Sequence, residues 1–372
     1  MYIHGCKRTV LAFGAESKGR FAVAGKEGIV LSEEFGSLQD YVNFERYERS
    51  LRRSLKWLTW ERPAVLACDM HPDYSSSVLA EELAGNVARL VRVQHHHAHI
   101  ASSMAEHGLN GNVIGVAFDG TGYGLDGNIW GGEFLLASYM DFKRAAHLKY
   151  IPMAGGDKAA EEPWRMAAAY LREAFGVGFL KIGIPITKMI DKGEWRLLEA
   201  AIEKNVNSPL TSSAGRLFDA VASIVLGISK VKTEAEAAIA LQNIARRAAD
   251  EQGVYDYLIS KDKAFSIDMS PTVKKIVRDM KSKVDPAVIA MRFHNTMTKM
   301  IADVCARIRR SSRLNRVILS GGVFQNSLLA RKASVLLSKK GFTVYMNSEY
   351  SPSDAGIAAG QAAVAYAVTG RG

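Results

Sequence analysis

The chain has 372 residues, 48% of them hydrophobic, with 32 glycines and a formal net charge of +10; that length predicts about two lobes rather than one small core. No apolar run approaches the ~20 residues of a membrane-spanning helix, and Met1 to Arg8 lacks the apolar core of a secretion signal. Cys6, Cys68 and Cys305 are isolated, so reduced thiols in a cytoplasmic protein are expected, with no disulfide framework and no zinc finger.

In chain order, Thr9 to Phe13, Arg20 to Ala24 and Gly28 to Ser32 read as three short strands turned by Gly14, Gly19 and Gly25. Leu38 to Trp60 is expected as a long amphipathic helix ending before Pro63. Ala64 to Cys68 reads as a buried strand and Asp69-Met70-His71-Pro72-Asp73 as a loop. A helix over Ser75 to Ala84, a strand over Leu90 to Gln94 and a helix to about His107 follow. That last helix opens on Val93-Gln94-His95-His96-His97-Ala98-His99-Ile100, which holds four of the nine histidines. His95 and His99 stand at i and i+4, on one helical face and ~6 Å apart along the axis. A helix offers two imidazoles to a metal in this way; a solvated histidine cluster is the alternative on spacing alone. His107 shares the stripe but lies ~12 Å beyond His99, too far to hold the same ion.

The second half begins alike, with strands over Val113 to Phe118, Ile129 to Ser138 and Ala145 to Ile151. A largely helical block from about Lys158 to Arg310 follows. A strand over Arg316 to Leu319, a helix over Asn326 to Ser338, a strand over Phe342 to Met346 and a helix over Ala355 to Ala367 close the chain. A βββαβαβα plan thus occurs twice. The expected fold is α/β, with two ribonuclease-H-like lobes of the actin, Hsp70 and sugar-kinase (ASKHA) kind, residues 1–110 and 111–372. The second lobe carries a helical insertion over about 158–310, and a nucleotide is expected in the cleft between lobes.

Four stretches could carry chemistry. Asp119-Gly120-Thr121-Gly122 follows a strand directly, so its backbone N–H groups can approach phosphate while Asp119 reaches a metal. The Gly-x-Gly-x-x-Gly match at Gly122, Gly124 and Gly127 runs into a strand rather than a helix, which rules out a dinucleotide fingerprint. Ser320-Gly321-Gly322-Val323-Phe324-Gln325-Asn326 joins a strand to a helix and lets backbone approach a nucleotide, or is merely a tight connection. Gly215-Arg216-Leu217-Phe218-Asp219 offers an arginine and a carboxylate for a nucleotide, or a pair on a helix surface. In Ser351-Pro352-Ser353-Asp354, the aspartate suits a ligand and a helix cap equally. Lys18 in the first hairpin could touch phosphate, although a solvated turn lysine is the plainer reading, and His71 and Asp73 suit turn and cap roles. There is no Gly-x4-Gly-Lys-Ser/Thr loop and no Gly-x-Ser-x-Gly elbow, so no nucleophile of the chain's own is expected.

Gln94-His95-His96-His97-Ala98-His99-Ile100-Ala101, Asp119-Gly120-Thr121-Gly122 with Trp130-Gly131-Gly132-Glu133, and Leu319-Ser320-Gly321-Gly322-Val323-Phe324-Gln325-Asn326 together resemble the C-terminal carbamoyltransferase domain of the HypF family, kin to the TsaD family. Ala67-Cys68-Asp69-Met70-His71-Pro72-Asp73-Tyr74 and Glu162-Pro163-Trp164-Arg165 fit as well, and the likeness runs from about Thr9 onward. It implies NiFe hydrogenase maturation: carbamoyl phosphate and ATP give carbamoyl-adenylate, and the carbamoyl group passes to the C-terminal cysteine of a HypE-like acceptor, whose thiolate is the nucleophile. It implies metal ligands at His95, His99, Asp119 and Asp354, with His95, His99 and Asp119 serving catalysis. Two imidazoles with two carboxylates favour iron or zinc, with Mg2+ accompanying the nucleotide. Nucleotide contacts are implied at Gly120, Thr121 and Gly122, at Gly321, Gly322 and Asn326, and at Gly215, Arg216 and Asp219.

The family's acylphosphatase-like domain, Cys-rich zinc motifs and YrdC-like domain match nothing in these residues. The resemblance therefore implies the transfer half, with adenylate formation elsewhere on the same or another polypeptide. The other readings are a TsaD-like tRNA threonylcarbamoyl transferase and a non-catalytic nucleotide-binding scaffold. Basic residues such as Arg46, Arg49, Arg52, Arg53 and Lys56 are dispersed on helix faces without interleaved aromatics, so nucleic acid is not the expected partner, and neither is a membrane. His96 and His97 have no assigned role.

Overall fold

The computed structural model describes residues 9–26, 28–57, 63–85 and 88–370. Met1 to Arg8 with Cys6, and the end of the helix expected to reach Trp60, lie outside them. The first lobe runs β1 (Val10–Ala12), β2 (Ala22–Gly25), β3 (Gly28–Leu31), α1 (Tyr41–Trp57), β4 (Val65–Asp69), α2 (Ser75–Ala84), β5 (Arg89–Val93) and α3 (His95–Glu106). Its strands lie in the order β3-β2-β1-β4-β5, with β1 antiparallel to β2 and parallel to β4. The pleat sorts the side chains by parity. Leu11, Phe13, Leu66 and Cys68 share a core with Tyr47 and Leu51 of α1 and Leu79 and Ala80 of α2. Val10, Ala12, Val65 and Ala67 face the other way, onto a different helix altogether.

The second lobe begins with β6 (Val113–Tyr123), β7 (Ile129–Ala137), β8 (Phe142–Leu148) and β9 (Ile151–Pro152). Then come α4 (Lys158–Glu161), α5 (Pro163–Phe175), α6 (Pro185–Met189), α7 (Lys192–Glu203), β10 (Leu210–Thr211), α8 (Ala214–Leu226) and α9 (Glu236–Ala245). The hairpin β11 (Leu258–Lys261) and β12 (Phe265–Asp268) precedes α10 (Ser270–Lys281) and α11 (Pro286–Ser312). The chain continues through β13 (Arg316–Ser320), α12 (Ser327–Lys339), β14 (Thr343–Met346) and α13 (Ile357–Thr369). The sheet order is β11-β12-β8-β7-β6-β13-β14, with β10 beside β7. Its centre, β8-β7-β6-β13-β14, repeats the third-second-first-fourth-fifth order of the first sheet, so both lobes are ribonuclease-H-like. The insertion is less purely helical than expected, since β12 pairs in parallel with β8 and widens the sheet.

The helix that covers Val10, Ala12, Val65 and Ala67 is α13, from the far end of the chain. It is buried nearly all round, through Ala358, Ala359, Ala362, Ala363 and Ala365, and lies against α3. Gly360 allows this approach: a Cβ there would sit 1.9 Å from the Ala98 carbonyl oxygen. The chain's end thus closes the first lobe's core and brings the turn before α13 up to the histidines. Among the described residues, no helix is long and apolar enough to cross a membrane.

Candidate metal and nucleotide site

Gln94 caps α3. Its Oε1 accepts the His97 N–H at 2.9 Å, and its Nε2 donates to the Tyr123 carbonyl at 3.0 Å and to His96 Nδ1 at 3.1 Å. The cap fixes the first turn of α3 against β6, so His95 and His99 point together at Asp119 within that strand. His97 points away and donates Nε2–H to the Ser138 carbonyl at 2.6 Å. His107, at the other end of the helix, bonds the Met346 carbonyl at 2.8 Å.

Asp119 stands where the β6–β7 ladder is irregular, between Phe118 and Gly122. β6 resumes to Tyr123 before turning back, so the stretch Asp119–Gly122 is a bulged strand rather than a free loop. Gly122 must be glycine here, because a Cβ would come within 2.5 Å of His96 Cε1 and 2.8 Å of His95 Cδ2. Asp119 Oδ1 accepts the Gly322 N–H at 2.9 Å, and its carbonyl accepts from Ser213 Oγ at 2.7 Å. Gly321 adopts φ +98°, with no room for a Cβ 2.2 Å from the Phe118 carbonyl oxygen. That turn aims the Gly322 N–H at Asp119.

Asp354 sits in a single 3-10 turn before α13 and caps neither helix with its side chain. Its Oδ2 accepts from Ser17 Oγ at 2.6 Å, and its Oδ1 faces the imidazoles. His95 Nε2 lies 3.3 Å from Asp119 Oδ2 and 3.5 Å from Asp354 Oδ1; His99 Nε2 is 3.6 Å from each of the same oxygens. The four candidate ligand atoms all lie within 4.8 Å of one another.

A fifth residue orients the first. His95 Nδ1 donates to Asp69 Oδ2 at 2.9 Å, with both side chains fully buried. A carboxylate only accepts, so this bond keeps a proton on Nδ1 and turns Nε2 towards Asp119 and Asp354. Burial opposes charge on His95, but Asp354, Asp69 and Asp119 outweigh it and hold its pKa well above the ordinary value. Burial likewise opposes charge on Asp119, yet the hydrogen bond to His95 and the neighbouring His99 imidazole hold its carboxyl well below the usual range. His99 Nε2 is buried with no hydrogen-bond partner among the described residues. Two imidazole nitrogens and two carboxylate oxygens converging on one point fit a cation. The nitrogen–oxygen donor set suits a transition ion of the iron or zinc class.

Beside the tetrad lies a cavity of about 330 Å³, lined by Asp119, Gly120, Gly215, Arg216, Asp219, Gly322 and Asn326, with Lys18 and Glu234 across it. Gly215 lets α8 close onto the bulge, since a Cβ would stand 2.9 Å from Gly120 Cα. Arg216 and Asp219 form a 3.1 Å pair that is buried in the wall, not on a helix surface. Burial raises the Asp219 pKa against the opposing pull of Arg216, and Arg216 Nε and Nη1 have no hydrogen-bond partners among the described residues. Lys18, read as a turn lysine, instead reaches the cavity from the first lobe and meets Glu234 at 3.5 Å. Thr121 is exposed, and neither it nor Gly122 or Gly321 lines the cavity.

Asn326 lines the wall but spends its amide within the protein. Oδ1 accepts the Leu329 N–H at 3.0 Å, capping α12, and Nδ2 donates to His294 Nε2 at 3.0 Å. His294 Nδ1 donates to the Ala290 carbonyl at 2.8 Å, so this imidazole is neutral. Burial pushes its pKa down to about 4. The unfolded chain, with an ordinary histidine near 6.5, binds the proton first. Stability from this group is therefore full above about pH 6.5 and falls as pH drops towards 4, by about 3 kcal/mol in all. Urea midpoints measured across this window should fall less steeply for His294→Gln than for the wild type.

Sequence reasoning missed Asp69, which was read as the first residue of a loop. β4 runs one residue further, and the pairing of Asp69 with Val93 carries its carboxylate to His95. An acidic residue closing a buried strand that neighbours the one feeding the histidine helix was the available signal.

The model of a carbamoyltransferase Kae1-like domain, second subdomain, matches residues 115–361, and that of a HypF Kae1-like domain matches residues 5–106. A curated carbamoyltransferase HypF homolog of Cupriavidus necator is 36% identical over 364 residues, 96% of this chain and 91% of that protein. Carbamoyltransferase HypF of Synechocystis sp. is 33% identical over 368 residues, 95% of this chain but 47% of that one. A crystal structure of full-length HypF in the phosphate- and nucleotide-bound form superposes with a TM-score of 0.93 at 36% identity, covering 99% of this chain and 47% of that one. T. kodakarensis HypF gives 0.86 at 28% identity, covering 98% and 49%. The chain thus spans about half the length of the Synechocystis relative and of both solved structures.

Proposed function

The chain belongs to the HypF Kae1-like carbamoyltransferase domain family, and from that premise we propose that it transfers the carbamoyl group of carbamoyl-adenylate to a protein thiol. The acceptor in this reading is the C-terminal cysteine of a HypE-like protein, in NiFe hydrogenase maturation. Residues 1–110 and 111–372 are taken as the two lobes. The adenylate comes from ATP and carbamoyl phosphate on a YrdC-like domain of the same or another polypeptide, and Mg2+ accompanies the nucleotide. Cys68 and Cys305, both buried and unpaired, suit a reducing, cytoplasmic compartment.

The observation that carries the reading is the position of the His95–His99–Asp119–Asp354 tetrad beside the cavity, with Asp119 common to both. Those four residues would hold a divalent ion of the iron or zinc class, which would supply positive charge to offset that of the leaving phosphate. The chain's own groups do the rest. The unpartnered N–H groups of Arg216 meet phosphate oxygens, and Asp219 holds that guanidinium in place. Gly120, Gly215 and Gly322 allow backbone to approach the nucleotide closely. Asp69 keeps the His95 proton on Nδ1. The acceptor thiolate attacks the carbamoyl carbon, a C–S bond forms, and the carbon–oxygen bond to phosphate breaks, with AMP leaving on the electron pair.

The test is mass spectrometry of a HypE-like acceptor incubated with this chain and carbamoyl-adenylate, or with ATP, carbamoyl phosphate and a YrdC-like protein. A carbamoyl adduct on the terminal cysteine is expected. An unmodified acceptor beside intact adenylate would sink the proposal, and modification of tRNA instead would move the chain to the TsaD-like reading.

A further inference from the structure

The helix that carries His95 and His99 ends on a carboxylate with an unusual share of hydrogen bonds. Glu106 Oε1 accepts the Ser348 N–H at 2.6 Å, Ser348 Oγ at 2.6 Å and the Glu349 N–H at 2.9 Å. Oε2 accepts the Tyr350 N–H at 3.1 Å and Asn347 Nδ2 at 3.3 Å. Three successive backbone amides converge on one side chain from the other half of the molecule, as in an anion-binding nest. The anchored segment leads straight to Asp354. Residues 347–353 have neither helix nor strand. What places Asp354 is therefore a series of anchors: Glu106 on residues 347–350, Ser320 Oγ on Asn347 Oδ1 at 3.0 Å, the Gly321 N–H on the Pro352 carbonyl at 2.9 Å, and Ser17 Oγ on Asp354 itself.

We propose that Glu106 is a positioning residue for the tetrad: its carboxylate ties the segment before Asp354 to the helix bearing His95 and His99, and so holds the fourth ligand within reach of the first two. The proposal rests on reading the tetrad as a metal site. α3 then acts as a rule with two marks, the imidazoles at its first turns and the anchor at its last. The spacing between them is set by one rigid helix rather than by loop packing. Of these anchors, Glu106 is the one that holds backbone through several bonds to a single group, so its loss frees the longest stretch.

The test measures Zn2+ affinity by competition with a chromophoric chelator, and the visible absorption of the Co2+ form, in the whole chain. Glu106→Ala should weaken Zn2+ binding by about 10- to 100-fold, the range seen when residues behind metal ligands are removed. It should also move the Co2+ spectrum towards that of Asp354→Ala. The double variant should bind no more weakly than Asp354→Ala alone, because both changes remove the same ligand. Glu106→Gln, which keeps one acceptor oxygen, should fall between, and it decides the matter if the alanine variant fails to fold. Wild-type affinity and spectrum in a folded Glu106 variant, or losses that add in the double variant, would overturn the proposal. A wild-type chain that takes up no ion removes the metal reading, and this inference with it; wild-type binding matched by the variants removes this inference alone.

Discussion

On the proposed reading, a His95→Ala chain is expected to bind no metal at the tetrad and to lose about 10³-fold or more of carbamoyl transfer while remaining folded, since several kcal/mol of transition-state stabilisation would go with the ion. His95 is the hub of the site: one ring nitrogen meets Asp69 and the other faces both Asp119 and Asp354. Its removal leaves buried carboxylates short of a partner, which on its own would destabilise strongly. Each keeps another donor, however. Asp69 Oδ1 retains the His71 N–H at 3.0 Å, Asp119 retains the Gly322 N–H, and Asp354 retains Ser17. The expected stability loss is therefore about 1–3 kcal/mol rather than collapse. His97→Ala is the control, because its imidazole bonds Ser138 and points away from the tetrad. Elemental analysis of the purified chains, with acceptor mass spectrometry alongside, checks both. Normal transfer from metal-free His95→Ala would remove the tetrad from the mechanism.

How much of this was legible in the sequence differs residue by residue. The facing pair His95 and His99 follows from helical spacing, and Asp119 from its place at a strand end; both are local signals. Asp354 is different. Its surroundings suit a helix cap equally well, and only the resemblance singled it out, because its place beside the imidazoles depends on a neighbour 255 positions away. Asp69 had still less to show, since nothing beside it in the chain marks it as the residue behind His95. The register of β4 against β5 decides that, and register is a property of the sheet. Lys18 failed for a related reason: a turn lysine reads as solvated, yet the closing of the lobes sets it across the cavity from α8. The doubled strand order was legible from the alternation of elements. The exchange of α13 into the first lobe was not, although a helix so rich in alanine, with no polar face, already asks for cover on every side.

The largest effect on stability is expected from Gly360→Ala, about 3 kcal/mol or more. The new Cβ would lie 1.9 Å from the Ala98 carbonyl oxygen, 2.7 Å from its carbon and 2.9 Å from the Ser102 nitrogen. All three atoms are α3 backbone, so no rotamer change relieves the clash and the two helices must move apart. Around the contact the packing is already close, with Ala101, Ala105, Ala359 and Ala362 fully or almost fully buried. Separation would therefore open the core between α13 and the first sheet instead of taking up slack. It would also act on the site, since α3 carries two of the four candidate ligands and α13 begins just after Asp354. Zn2+ affinity should then fall together with the urea midpoint. Gly178→Ala, at φ −82° with nothing within 4 Å of the added Cβ, should change neither. If Gly360→Ala unfolds at the wild-type urea concentration, the helices do not meet this closely. If it loses stability but binds Zn2+ as tightly as before, the packing of α13 on α3 does not set the spacing of the ligands.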